Sequence, residues 1–259
     1  MARTFVITGS ASGIGQATAA RLAAQGHKII GVDIHNADIN VDLSADAGRA
    51  DMVAQVKALA PEGIDGILTS AGSANFNKPG FVVAVNYFGS IATFVGLHPL
   101  LRRPGARCVA IASTALLSAS DATLGLEQLC LEGNEEAAIK LAEERGFLEA
   151  YPGAKRALAI WARQTAVKPE WAGSGILLNT VAPGVVKTPM VLQALENPEQ
   201  APIIKAGSPI AVADFPEAKD AAELMDFLLN VETNMLIGQV IFLDGGSEAI
   251  LRPRLTSST

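Results

Sequence analysis

Tyr151 and Lys155 stand four residues apart in YPGAKRALAIWARQ, a spacing that puts both side chains on one face of a helix. A free tyrosine hydroxyl titrates near ~10, and an ammonium group beside it draws that value down toward the range where the hydroxyl can exchange protons. Such a pair is common by chance, so its meaning depends on what else reaches the same place. Ser113 and Thr114 follow the apolar run RCVAIA, Arg107 to Ala112, and their hydroxyls emerge at the end of a buried strand. Asn86 lies inside Phe81 to Leu101, a stretch with helical spacing of apolar and small residues. Asparagine is a poor helix former, which leaves two readings: a satisfied core amide, or a residue that unwinds the helix and holds a water.

The element that must position these groups is TFVITGSASGIG, Thr4 to Gly15. Phe5 to Ile7 reads as a buried strand, Gly9 to Gly13 as a tight turn and Ile14 to Gly26 as a helix. Unpaired N–H groups and the positive end of the dipole make that helix start a phosphate site. Gly9 allows the turn, Gly13 lets a pyrophosphate approach, and Gly15 lets helix and strand lie close. Lys28 to Val32 is a second strand with Asp33 at its carboxyl end. A carboxylate about 20 residues past such a turn accepts both ribose hydroxyls of an adenosine and repels a 2′-phosphate, which favours NAD over NADP.

Further along, Asp42 and Leu43 follow a brief third strand, and Asp42 reads equally as an adenine contact or as the cap of a helix over 44–59. Ile64 to Leu68 forms a fourth strand that runs into Ser70, Ala71 and Gly72, small enough for backbone beside a cofactor. Gly175 to Val181 is a sixth strand, turning at Pro183 and Gly184, and Gln239 to Leu243 is the last. Strands separated by helices imply a single Rossmann-type, doubly wound parallel sheet of about seven strands. Residues 120–149 form a helical insertion broken at Gly133 and Asn134; with 8 acids against 2 bases it reads as a solvated face. Pro152 belongs in a helix's first turn, which puts Tyr151 at a helix boundary. The segment 190–216, with Met190, Val191, Leu192, Ile203, Ile204, Ile210 and Phe215, either walls an apolar substrate pocket or packs on the core.

The chain of 259 residues is 49% hydrophobic and 18% charged, the composition of a globular protein. Its net charge of −6 argues against nucleic acid and anionic membranes as partners. No apolar run is expected to reach membrane length, and the N-terminus leads straight into a strand, so a cytoplasmic location is expected. Cys108 and Cys130 read as buried and inert, and His27, His35 and His98 as surface or packing residues without metal-ligand spacing.

Together these motifs resemble the short-chain dehydrogenase/reductase family in its compact form. TGSASGIG matches the cofactor turn, SAG stands where Asn-Ala-Gly is usual, and Asn86, Ser113, Tyr151 and Lys155 match the catalytic set. VNYFG, the insertion, LNTVAPG and DGGSEAILRP look like the bacterial 3α-hydroxysteroid dehydrogenase/carbonyl reductase group, while ALAIWARQ is similar to coniferyl-alcohol dehydrogenases. The resemblance implies an NAD(H)-dependent alcohol dehydrogenase or ketone reductase for a small apolar substrate, working as a homodimer or homotetramer. Tyr151 is then the acid/base, Ser113 (with Thr114 as its rival) binds the substrate oxygen, and Lys155 binds the nicotinamide ribose. Asn86 would position a water leading to Lys155. The cofactor would lie along Gly9, Ser12, Gly13, Ile14, Gly15, Asp33, Asp42, Leu43, Ala71, Gly72, Pro183, Gly184, Val186 and Thr188. The insertion would obstruct an interface through the long helices 81–101 and 151–171. A reading from another class is a non-catalytic NAD-binding regulator, against which the full Asn, Ser, Tyr and Lys set argues.

Overall fold

The computed structural model describes residues 2–118 and 120–254. Its seven strands are β1 (Thr4–Thr8), β2 (Lys28–Asp33), β3 (Ile39–Asn40), β4 (Gly66–Thr69), β5 (Arg107–Ile111), β6 (Leu177–Pro183) and β7 (Val240–Leu243). They pair in parallel in the order β3-β2-β1-β4-β5-β6-β7. The order reverses between β1 and β4, and the crevice at the carboxyl ends of those strands is where an open α/β sheet binds a ligand.

The helices are α1 (Gly13–Ala24), α2 (Asp46–Leu59), α3 (Pro79–Val83), α4 (Ser90–Leu97), α5 (Asp121–Leu131), α6 (Glu135–Arg145), α7 (Phe147–Ala166), α8 (Pro189–Glu196), α9 (Gln200–Gly207), α10 (Ala218–Asn230) and α11 (Ser247–Leu251). The two-residue period of the strands sorts side chains to opposite faces. Phe5, Ile7, Leu68, Val109 and Val181 meet Leu22 of α1 and Met225, Leu228 and Leu229 of α10. Val6, Ile30, Ile67, Cys108 and Leu178 meet Met52 and Val56 of α2, Phe94 and Leu97 of α4, and Leu158 of α7. Burial pushes the Cys108 thiol up to about 12, and both cysteines are free.

Several expectations need correction. The stretch Pro79–Leu100 is 22 residues long and apolar enough to cross a membrane, although 72% of its most apolar window is buried inside the fold. It is not one regular helix: α3 and α4 are joined by a π-helical turn over Ala84–Gly89, centred on Asn86. The helix with Tyr151 and Lys155 starts at Phe147, not Tyr151, and ends at Ala166. Pro152 therefore lies inside it and leaves the Leu148 carbonyl without its usual donor. Helix α2 starts at Asp46 with Ala45 at its cap, so Asp42 does not cap it; Asp42 Oδ1 accepts the Ser44 N–H at 2.8 Å.

The insertion is not merely a solvated face. Leu126, Cys130, Ala138 and Ala142 belong to the main core, and α5 lies against α7 so closely that a Cβ on Gly153 would sit 2.7 Å from the Leu126 side chain. Three of its acids have partners outside it: Glu127 pairs with Arg156 at 2.7 Å, Glu135 with Arg49 at 2.6 Å, and Glu143 accepts the Gly80 N–H at 2.8 Å, while Glu149 accepts from the Ser120 and Thr123 hydroxyls within it. Those two hydroxyls hold the Glu149 carboxyl below its ordinary pKa. Removing the Leu126 side chain should behave as a core cavity: Leu126→Ala is expected to cost about 2–5 kcal/mol in denaturant unfolding, while the exposed Leu124→Ala should change stability by less than about 0.5 kcal/mol.

Candidate active site

The turn after β1 is built from backbone approaches that exclude side chains. Gly9 has φ +70°, and a Cβ there would lie 2.6 Å from the Ala71 nitrogen. A Cβ on Gly15 would lie 2.2 Å from the Gly9 carbonyl oxygen, which is why α1 can pack so near the strand. Helix α1 has no acid in its first turn, and Ser12 makes no side-chain cap, so its N-terminal N–H groups are left for an anion.

That turn opens on a cavity of about 390 Å³. All the residues assigned to the cofactor from sequence line it except Gly15, which is the buried spacer behind the turn. Asp33 stands at one end, its carboxylate taking the Ala11 N–H at 2.9 Å and the Ile34 N–H at 2.7 Å. Asp42 and Leu43 line the same end, and Ser113, Tyr151 and Lys155 line the other. Among the described residues lining the cavity, Lys155 is the single Lys or Arg.

Ser113, at the end of β5, caps the short helical turn Thr114–Leu117 by accepting the Ala115 N–H at 3.2 Å, and it lines the same cavity as Tyr151. Thr114 is buried and does not line the cavity, which separates it from Ser113. Burial raises the Tyr151 pKa, and the Ser113 side chain partly offsets that rise. Lys155 lies 5.8 Å from the Tyr151 ring centroid and donates to the Ile111 carbonyl at 2.8 Å. Loss of hydration drives its pKa down to about 8.

Asn86 is fully buried, and its amide is satisfied twice by Ser73: Oδ1 accepts the Ser73 N–H at 2.7 Å and Nδ2 donates to the Ser73 carbonyl at 2.9 Å. The side chain is thus a satisfied core amide, and it sits within a π-helical turn. Gly72 fits between Asn86 and Lys155 because it has no Cβ; one would stand 2.8 Å from Asn86 Oδ1.

Two aromatic residues at this site were missed from sequence. Phe147 stacks on the Tyr151 ring with centroids 5.3 Å apart, and Phe76 stacks on Phe147 at 3.9 Å. Their signal was the i, i+4 spacing of Phe147 and Tyr151, legible only once the helix is known to begin a turn earlier. In the segment 190–216, Met190 and Val191 line the cavity, and neither α8 nor α9 has a buried residue. Met190, Leu192 and Ile203 are each more than 40% exposed, so these side chains do not pack on the core.

An anion-ready glycine turn and a carboxylate at the end of the second strand, on a seven-stranded parallel sheet, define a dinucleotide-binding α/β protein. Residues 3–123 match the family model described as short chain dehydrogenase, and residues 139–248 match one described as enoyl-(acyl carrier protein) reductase. The chain is 35% identical over 257 residues to the 3-alpha-hydroxysteroid dehydrogenase/carbonyl reductase of Comamonas testosteroni, covering 96% of this chain and 98% of that one. It is 28% identical over 263 residues to the coniferyl-alcohol dehydrogenase of Pseudomonas sp. (strain HR199 / DSM 7063), covering 94% and 96%. The crystal structure of the 3-alpha-hydroxysteroid dehydrogenase from Pseudomonas sp. B-0831, complexed with NADH, matches with a TM-score of 0.91 at 36% identity, over 98% of this chain and 100% of that one. The chain belongs to the short-chain dehydrogenase/reductase family. It is an oxidoreductase that uses a nicotinamide cofactor to interconvert an alcohol and a carbonyl compound.

The buried lysine has a measurable consequence. Its folded pKa of about 8 lies below the ordinary 10.5, so between those values the unfolded chain binds more protons and stability rises with pH. Below pH 8 the enclosed charge costs the cofactor-free protein as much as about 3 kcal/mol. Lys155→Met is expected to melt higher than wild type at pH 7, with the advantage fading toward pH 10.5; a lower melting temperature at pH 7 would contradict the assignment.

Proposed function

We propose that the cleft holds NAD(H) and that Ser113, Tyr151 and Lys155 carry proton transfer to and from the oxygen of an apolar secondary alcohol or ketone. The observation that carries this reading is that Ser113, Tyr151 and Lys155 line the same cavity as the Gly9–Gly13 turn. When bound, the nicotinamide supplies or accepts a hydride at the carbonyl carbon. The Ser113 hydroxyl donates to the substrate oxygen. Tyr151 gives its proton to that oxygen in reduction and takes it back in oxidation. The Lys155 ammonium favours the phenolate form of Tyr151 against the burial that opposes it. Asn86 keeps the 72–74 backbone in place through Ser73, next to Lys155.

NAD is favoured over NADP by charge. A 2′-phosphate near Asp33 would face a carboxylate, and the cavity's one cation among the described residues stands at the opposite end. Phe81, Met190 and Val191 make the substrate end apolar, which suits a hydroxysteroid-like or aromatic alcohol better than a sugar. Subunits associate as a homo-oligomer, and α5 and α6, lying over α7 and α3, obstruct a four-helix contact through α4 and α7, which favours a dimer.

Tyr151→Phe is expected to lower turnover at least about 100-fold while NADH binding, followed by fluorescence titration, stays within a few-fold of wild type. Normal turnover in this variant would end the scheme. Asp33→Ala should raise kcat/KM with NADP relative to NAD; an unchanged ratio would remove Asp33 as the selector.

A further inference from the structure

None of the roles above uses Arg49, yet it is among the most heavily bonded side chains in the protein. It projects from α2 and is 8% exposed. Its Nε donates to the Leu43 carbonyl at 2.8 Å, and Nη2 donates to the Ser44 and Ala84 carbonyls, each at 3.2 Å. Glu135, at the first position of α6, takes the guanidinium in a two-pronged pair: Oε2 from Nη1 at 2.7 Å and Oε1 from Nη2 at 2.6 Å. Asp46 accepts from Nη1 at 3.0 Å, but its side chain is almost wholly solvated.

The turn that Arg49 grips is the wall of the cleft at its Asp33 end, since Val41, Asp42 and Leu43 all line the cavity. Two glycines press on the same turn. A Cβ on Gly48 would lie 2.1 Å from the Asp42 carbonyl oxygen, and one on Gly89 would lie 2.9 Å from the Leu43 carbonyl oxygen. Residues 42–44 are thus wedged between α2 and the π-helical turn, with the Leu43 and Ser44 carbonyls tied to one guanidinium. That guanidinium is fixed in turn by a carboxylate of the insertion. Without Glu135 a buried charge would retain only the solvated Asp46 as counter-ion, and a poorly paired guanidinium moves toward water. In moving, it would release the Leu43 and Ser44 carbonyls.

We propose that Arg49 and Glu135 are positioning residues for the adenine end of the cofactor, through which the helical insertion sets the shape of the 41–44 wall. The proposal rests on reading the cleft as a dinucleotide site. It gives α5 and α6 a task inside the subunit, separate from any effect on subunit contacts. Because the pair acts at one end of the cleft, it governs affinity for the adenosine half and leaves the nicotinamide half alone.

The test is calorimetric titration of the full chain with ADP-ribose and, separately, with reduced nicotinamide mononucleotide, for wild type, Glu135→Gln and Arg49→Lys. Arg49→Lys keeps the charge but loses the fork that grips carbonyls and carboxylate together. Both variants are expected to bind ADP-ribose about tenfold or more weakly while their affinity for the mononucleotide changes less than about twofold. Amide hydrogen exchange at Val41 to Ser44 should quicken in both. Equal ADP-ribose affinity in wild type and variants would overturn the proposal, as would a parallel loss for both ligands, the mark of a general structural defect. Failure of the wild type itself to bind ADP-ribose is a distinct result that would overturn the dinucleotide reading, and the proposal with it.

Discussion

The cleft depends on backbones lying closer together than any side chain permits. At the reversal of strand order the Gly9 turn touches the chain at Ala71, α1 rests on the Gly9 carbonyl through Gly15, and Gly72 fills the gap between Asn86 and Lys155. Each contact would be broken by a single methyl group, since the Cβ positions fall between 2.2 and 2.8 Å from their neighbours. The floor of the site is therefore main chain, with N–H groups at one end and, at the other, a tyrosine and a lysine held by the sheet. Parallel pairing of β1, β4 and β5 brings these pieces, far apart in the chain, to one edge.

The helix carrying Tyr151 and Lys155 is tied into the rest of the protein at more points than its motif requires. Only Gly146, at φ +84°, separates it from α6. Its first turn supplies Phe147 to the face of the Tyr151 ring, and Glu127 of α5 pairs with Arg156 on its flank. Ser113 stands at the end of β5, and Lys155 reaches the carbonyl of Ile111 on that strand. Tyr151 and Lys155 are thereby placed by helix, strand and insertion together, the kind of support that the proposed proton transfer needs.

Much of this was legible in the sequence because its signals are local. A strand, a glycine turn and a helix in succession mark the anion site, and the acid ending the second strand follows from chain distance alone. The insertion was visible as two helices with a break at Gly133 and Asn134, as the structure has them. Its burial was not, because the partners of its acids, Arg49, Gly80 and Arg156, are distant in sequence. Helix α7 starts earlier than Pro152 suggests, because α5 and α6 pack against it. Helix α10 carries local signals of its own, since Ala221, Ala222, Met225, Leu228 and Leu229 have helical spacing and Glu217 and Asp220 form a capping box. The π-helical turn at Asn86 has no sequence signature beyond an amide in an apolar helix, and its Ser73 partner is supplied by tertiary contact.

The measurement that bears most directly on the account is nicotinamide absorbance, followed with NAD and with NADP against a 3α-hydroxysteroid, an aromatic allylic alcohol, a benzylic alcohol and a cyclic alcohol. The account predicts turnover of at least one of these with NAD, and a clear preference for NAD over NADP. Turnover that prefers NADP would contradict the role given to Asp33, and binding of NADH without turnover of any alcohol in the panel would contradict the apolar-alcohol chemistry assigned to Ser113, Tyr151 and Lys155.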